Sequence, residues 1–105
     1  MRSPGALSRA VYVDELGRRH VVEFWAGRIV VCDPLGAPRV VLPAPFSAEH
    51  AAALRFWRWA DCLVIAHPEL RPRLLYPLSD LEWRLEVMRL EGGALDRLGA
   101  RPAGS

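Results

Sequence analysis

The sequence predicts an α+β fold: a four-stranded antiparallel β-meander, then a long helix, a second helix and a short C-terminal turn. Three observations predict it, namely four short Val-rich runs, an apolar run at helical spacing, and a helix-capping pattern near residue 80. At 105 residues the chain has the length of one domain. We therefore expect a single α+β domain over 9–99, with a flexible leader at 1–8 and a flexible tail at 100–105.

Four runs rich in β-branched residues predict the strands, and turn-forming sequences separate them. The runs are RAVYVD, RHVVEFW, RIVVC and RVVL, and the separators are ELGR, AG and DPLGAP. If each separator closes a hairpin, Phe24 pairs with Ile29. On the same reasoning the first hairpin pairs Val13 with His20. A one-residue shift would move every side chain to the other face. The predicted inner face consists of Val11, Val13, Val22, Phe24, Ile29, Val31, Val40 and Leu42.

The middle of the chain predicts the long helix. Ser47 is a suitable N-cap, and the helix would run over 48–66 and end before Pro68, because the residue before proline disfavours helical backbone. At 100° per residue, a continuous arc of apolar side chains forms, which is typical of a helix packed on a sheet. That arc contains Ala53, Phe56, Trp57, Trp59, Ala60, Leu63 and Val64.

A second helix is predicted over 80–91, where Ser79 to Glu82 matches a capping box and Gly92 breaks the helix. A short turn at 94–99 would follow. The helix would carry two apolar stripes on nearly opposite sides, which is typical of a helix between two packed bodies. In so small a chain the second body is often another copy, so we expect a homo-oligomer, most simply a dimer. The predicted interface residues are Trp83, Val87 and Leu90.

The outer face of the predicted sheet mixes apolar and charged residues, and this mixture leaves two functions open. The first is a small non-catalytic module that binds itself or a protein partner. The second is single-stranded nucleic-acid binding, because aromatic residues beside arginines can stack on bases and contact phosphates. Residues 1–45 contain six Arg and four acidic residues, so the net charge of +2 lies in this half. The predicted nucleic-acid contacts are Tyr12, Arg19, Trp25, Arg28 and Arg39.

The predicted order of four strands and a helix over 9–66 is similar to that of the Whirly and Pur-type single-strand binders. The resemblance is one of topology and includes no residue motif. It implies that the sheet binds nucleic acid, but mixed charge is more typical of a solvated surface. We therefore rank the interaction module ahead of the nucleic-acid binder.

Catalytic and cofactor signals are absent from the sequence. No nucleophile with a base, phosphate-binding loop or metal-ligand spacing occurs, so we expect no enzyme, cofactor, metal or small-molecule ligand. Cys32 and Cys62 are expected to be buried free thiols in a reducing cytoplasm. No apolar run approaches the roughly 20 residues of a membrane helix. The chain has no Lys, Asn, Gln or Thr, which a GC-rich genome or thermophily would each explain.

Overall fold

The computed structural model describes residues 5–88, which form two four-stranded antiparallel sheets joined by a short helix. The first sheet contains β1 (Ser8–Val13), β2 (Arg19–Trp25), β3 (Arg28–Cys32) and β4 (Pro38–Pro43). The helix is α1 (Ala48–Ala52). The second sheet contains β5 (Arg55–Trp59), β6 (Cys62–His67), β7 (Leu70–Ser79) and β8 (Glu82–Val87). Both sheets are meanders in chain order. One core contains residues from both, so the architecture is a β-sandwich.

The predicted α+β class is wrong, because the long helix over 48–66 does not form. Only α1 is helical, with Ser47 as its N-cap as predicted. The segment from Arg55 to His67 is instead the β5–β6 hairpin, in which Trp59 pairs with Cys62. Aromatic and β-branched residues favour strands, and a short apolar run buried on both faces has no period that separates strand from helix. The resemblance to the single-strand binders depended on this helix and is therefore not supported.

The predicted second helix is also wrong, because its residues form the β7–β8 hairpin. Pro77 pairs with Trp83 and Leu75 with Leu85 across it. The capping-box residues make a tight turn instead, in which the hydroxyl of Ser79 accepts a hydrogen bond from the backbone of Leu81 at 3.3 Å. The predicted turn at 94–99, the tail at 100–105 and Leu90 lie outside the described residues.

The predicted register is confirmed for two hairpins and wrong for the first. Phe24 pairs with Ile29 in β2–β3, and the β3–β4 pairs also match. In β1–β2, however, Tyr12 pairs with His20, one residue from the expected pairing. The turn explains the shift, because the Asp14 carboxylate accepts hydrogen bonds from two backbone N–H groups within it and Gly17 supplies a φ of 81°. Tyr12 therefore lies inside, while Val11 and Val13 lie outside.

Aromatic side chains from both sheets form the centre of the core. Phe24 of the first sheet stacks on Phe56 of the second, with ring centroids 4.6 Å apart. The ring of Phe46 also contacts that of Phe24, with centroids 6.3 Å apart. The segment around α1 closes this end of the sandwich, since the hydroxyl of Ser8 donates to the carbonyl of Ala51 at 2.6 Å. Ser8, the last residue of the predicted leader, is also the first residue of β1.

A smaller apolar cluster lies on the outer side of the second sheet. Cys62, Val64, Leu74 and Met88 are buried there, with Trp59 and Tyr76 packed against them. Cys32 and Cys62 are both buried thiols, on separate sheets. Within residues 5–88, no helix has the length and apolar content needed to cross a membrane.

Candidate interaction surface

The outer face of the first sheet carries several exposed apolar side chains beside the buried Val30, and we call its five valines the valine face: Val11, Val13, Val21, Val30 and Val41. The two edge strands expose most of it, with Val11 55% and Val41 60% accessible. Val11 pairs with Val21, and Val30 pairs with Val41. Between β2 and β3, Val21 faces Cys32 and Val30 faces Glu23, so the two valine pairs adjoin only diagonally. Contiguous apolar surface of this kind marks an interaction site more often than scattered residues do.

Charged groups frame the valine face at the Trp25 end of the strands. Arg9 forms an ion pair with Glu23 at 3.5 Å, and the indole N–H of Trp25 donates to the same carboxylate at 3.2 Å. The guanidinium of Arg28 lies 5.1 Å from the centre of the Trp25 ring. Arg28 and Glu23 therefore already occupy part of the stacking surface and the N–H of Trp25.

The residues predicted to contact nucleic acid do not all share one surface. Tyr12 is a core residue, and its hydroxyl donates to the carbonyl of Asp61 at 2.6 Å. The guanidinium of Arg58 covers its ring at 4.5 Å. The predicted outer position of Tyr12 is thus wrong, because the register of β1 differs by one residue. Arg19 and Arg39 are exposed and line a cleft near the turns at the other end of the first sheet.

The predicted interface residues occupy different environments. Trp83 is buried between the sheets, where its ring meets Tyr12 and His20 edge-on at 5.3 Å each. Val87 ends β8 and is partly exposed. A helical period would place Trp83 on the second apolar stripe, away from the core. In a strand, positions 83 and 85 face the same side, and here that side is the core.

The turn end of the sandwich carries a network of charged side chains. Nε2 of His20 lies 3.0 Å from Oδ2 of Asp14, and Arg18 donates to the same oxygen at 2.9 Å. Arg18 also reaches Asp80 of the second sheet at 3.1 Å. The hydrogen bond from His20, with those from Arg18 and the turn backbone, lowers the pKa of Asp14 well below its usual range. This network therefore ties the β1–β2 turn to the second sheet.

The lowered pKa of Asp14 predicts that the fold loses stability in acid. The pKa of Asp14 is lower in the folded chain than in the unfolded chain, so ionised Asp14 stabilises the fold above about pH 4. This contribution is lost progressively as the pH falls further. We expect Asp14→Asn to be less stable than wild type at pH 7, with the difference shrinking toward pH 3. Urea unfolding across that range, with exposed Glu15→Gln as the control, measures it. A difference independent of pH would contradict the prediction.

The two remaining histidines form a cluster that the sequence prediction did not identify. His50 of α1 and His67 at the end of β6 have ring centroids 4.8 Å apart, with Glu69 beside them. The available sequence signal is the spacing of His67 and Glu69, because side chains two residues apart in an extended segment lie on the same side. His50 is distant in sequence, so only the fold brings it to this position.

Comparison with known proteins adds no assignment. A scan against protein-family models and a search of curated proteins both give no match for this chain. The functional argument therefore depends on the chemistry of the described surfaces. Of these, the valine face presents exposed apolar side chains on one sheet face, whereas the charged groups of the turn-end network already bind one another.

Proposed function

We propose that this chain is a small non-catalytic interaction module that forms a weak homodimer through the valine face. The observation that supports it most directly is the exposure of Val11 and Val41, at 55% and 60%, on the edge strands of one sheet face. Covering exposed apolar surface contributes about 25 cal/mol per Å². A second copy offers the same apolar surface, so the contact would be self-complementary.

A two-fold axis parallel to the strands would place β1 of one copy opposite β4 of the other. Val11 lies level with Val21, whereas Val41 lies level with Val30, one row further along the strands. The valines of the two copies would therefore meet diagonally, offset by two residues along the strands. Face-to-face sheets pack about 10 Å apart at a small angle. Valine side chains suit that spacing because they are short and have few rotamers, so ordering them costs little entropy.

The size and charge of the face predict a weak dimer. Four strands of about six residues cover roughly 400 Å², about half the 800 Å² per partner of a standard interface. The outer face carries Arg9, Arg19, Arg28 and Arg39 against Glu23, so two copies repel each other at low salt. We therefore expect a dissociation constant of about 10–100 µM that decreases as salt screens the arginines.

Val41→Arg tests this proposal in sedimentation velocity over about 5–200 µM, a range that brackets the expected constant. We expect wild type to shift toward dimer with concentration and salt, and Val41→Arg to remain monomeric because it buries an unpaired charge. Leu35→Arg is the matched control, since Leu35 is 94% exposed in the β3–β4 turn and lies off the valine face. A monomeric wild type, or an unchanged dimer in Val41→Arg, would refute the proposal.

The excess of arginine on the same face favours single-stranded nucleic-acid binding as a second candidate function. Fluorescence anisotropy with labelled mixed-sequence single strands distinguishes the two functions in the same three proteins and in Trp25→Ala. Nucleic-acid binding would weaken with salt, strengthen in Val41→Arg and weaken in Trp25→Ala. Self-association through valines has the opposite response to salt and to Val41→Arg. The loss of Tyr12 from the face leaves Trp25 as its aromatic residue in the described strands, which favours the dimer.

A further inference from the structure

His50, His67 and Glu69 bring three metal-binding groups together on the described surface. One ring nitrogen of each histidine and a carboxylate oxygen of Glu69 lie within 4.8 Å of one another. Nε2 of His50 is 3.3 Å from Oε1 of Glu69. Ligands around tetrahedral zinc are separated by about 3.4 Å, given metal–ligand distances near 2.1 Å. A small rotation of the exposed Glu69 and of the two rings would thus reach a coordinating arrangement.

The donor set indicates which cation fits. Two imidazoles and one carboxylate suit Zn²⁺ and similar transition metals, whereas Mg²⁺ and Ca²⁺ prefer oxygen ligands alone. Three protein ligands leave a further position for water or for a donor from another molecule. Both histidines are only partly exposed, so their rings are held by the surrounding protein more firmly than those of surface histidines.

The backbone around the cluster limits the expected affinity. Nδ1 of His50 accepts a hydrogen bond from the N–H of Ser47 at 3.4 Å, and Nδ1 of His67 accepts one from the N–H of Glu69 at 3.0 Å. A metal at Nε2 requires the ring proton on Nδ1, so both of these contacts would be given up. The site is therefore expected to bind in the micromolar range, more weakly than a structural zinc site.

The three residues meet only in the folded chain. His50 belongs to the segment that joins the two sheets, while His67 ends β6 and Glu69 lies in the β6–β7 turn of the second sheet. A cation held by all three would link that joining segment to the sheet. Because the unfolded chain lacks this arrangement, binding would stabilise the fold by mass action.

We propose that His50, His67 and Glu69 form a Zn²⁺-binding site that fastens α1 to the β6–β7 turn. Isothermal titration of untagged, reduced protein with zinc chloride tests it, with thermal unfolding as a second readout. We expect one zinc per chain and an unfolding temperature that rises with zinc. His67→Gln should weaken binding more than about tenfold, since removing even the supporting partner of a ligand costs that much.

Matched variants make the result specific. Glu49→Gln removes an exposed carboxylate from the same helix but outside the cluster, and should bind zinc like wild type. A double variant, His50→Gln with His67→Gln, retains His20 and both cysteines, so zinc bound elsewhere would survive in it. Binding that persists in the double variant, or no heat and no thermal shift in wild type, would overturn the proposal. Magnesium should give neither signal.

Discussion

Phe24→Ala is expected to lower the free energy of unfolding by about 3–5 kcal/mol, the usual cost of emptying a core aromatic site. Phe24 is fully buried at the centre of the sandwich. Its ring contacts Phe56 at 4.6 Å and Phe46 at 6.3 Å, so the substitution removes contacts to both the second sheet and the segment that closes the end. Urea unfolding followed by tryptophan fluorescence measures the change.

The control for this prediction is Leu35→Ala in the exposed β3–β4 turn, which should change stability by less than about 0.5 kcal/mol. Both variants lose a large apolar side chain, so their difference reports burial. A Phe24→Ala loss below about 1 kcal/mol would show that the site collapses or that the two sheets do not share this core.

Trp83→Glu is expected to abolish cooperative folding at room temperature. The indole lies between the sheets against Tyr12 and His20, and the substitution leaves a cavity and an unpaired carboxylate in its place. Losing a core tryptophan alone costs about 3–5 kcal/mol, and an uncompensated buried charge adds several more. The sum approaches the 5–15 kcal/mol by which domains are stable.

Circular dichroism and thermal unfolding measure this effect, with Leu81→Glu as the control. Leu81 is exposed in the adjoining β7–β8 turn, so the same charge should be tolerated there. The result also distinguishes a position of Trp83 in the core from a position at an interface between copies. A folded Trp83→Glu monomer that has only lost self-association would place the indole at an interface, as the helical interpretation predicted.

Much of the first sheet could be predicted from the sequence, because its local signals agree. The strands β2, β3 and β4 are Val-rich runs bounded by turn-forming residues, and Gly27 permits the turn between β2 and β3 with a φ of 82°. Strand composition and turn chemistry are properties of neighbouring residues, so they can be recognised without the fold. Within this sheet, the pairing of Phe24 with Ile29 follows from the tight turn between β2 and β3.

The second sheet could not be predicted, since its local signals conflict. Ala60 lies in the turn of the β5–β6 hairpin with a φ of 54°, a left-handed conformation. Glycine is the usual residue for this conformation, so an alanine gives no sequence signal for the turn. Cys62 to Ile65 are buried on both faces, so the run shows no alternation. The residues from Ser79 to Glu82 match a helix cap yet form a turn, because pairing of β7 with β8 provides the backbone hydrogen bonds instead.

The candidate surface shows the same division between sequence and structure. The sequence by itself determined that the outer face of the first sheet mixes valine with arginine, because alternation places Val30, Val41 and Arg28 there. Only the tertiary structure decided that Tyr12 and Trp83 face inward, and that His50 meets His67. The physical reason is that all three features depend on pairing and burial. They are the register of β1 against β2, the formation of a strand in place of a helix, and a contact between distant segments. Pairing and burial act between parts of the chain that the local sequence does not bring together.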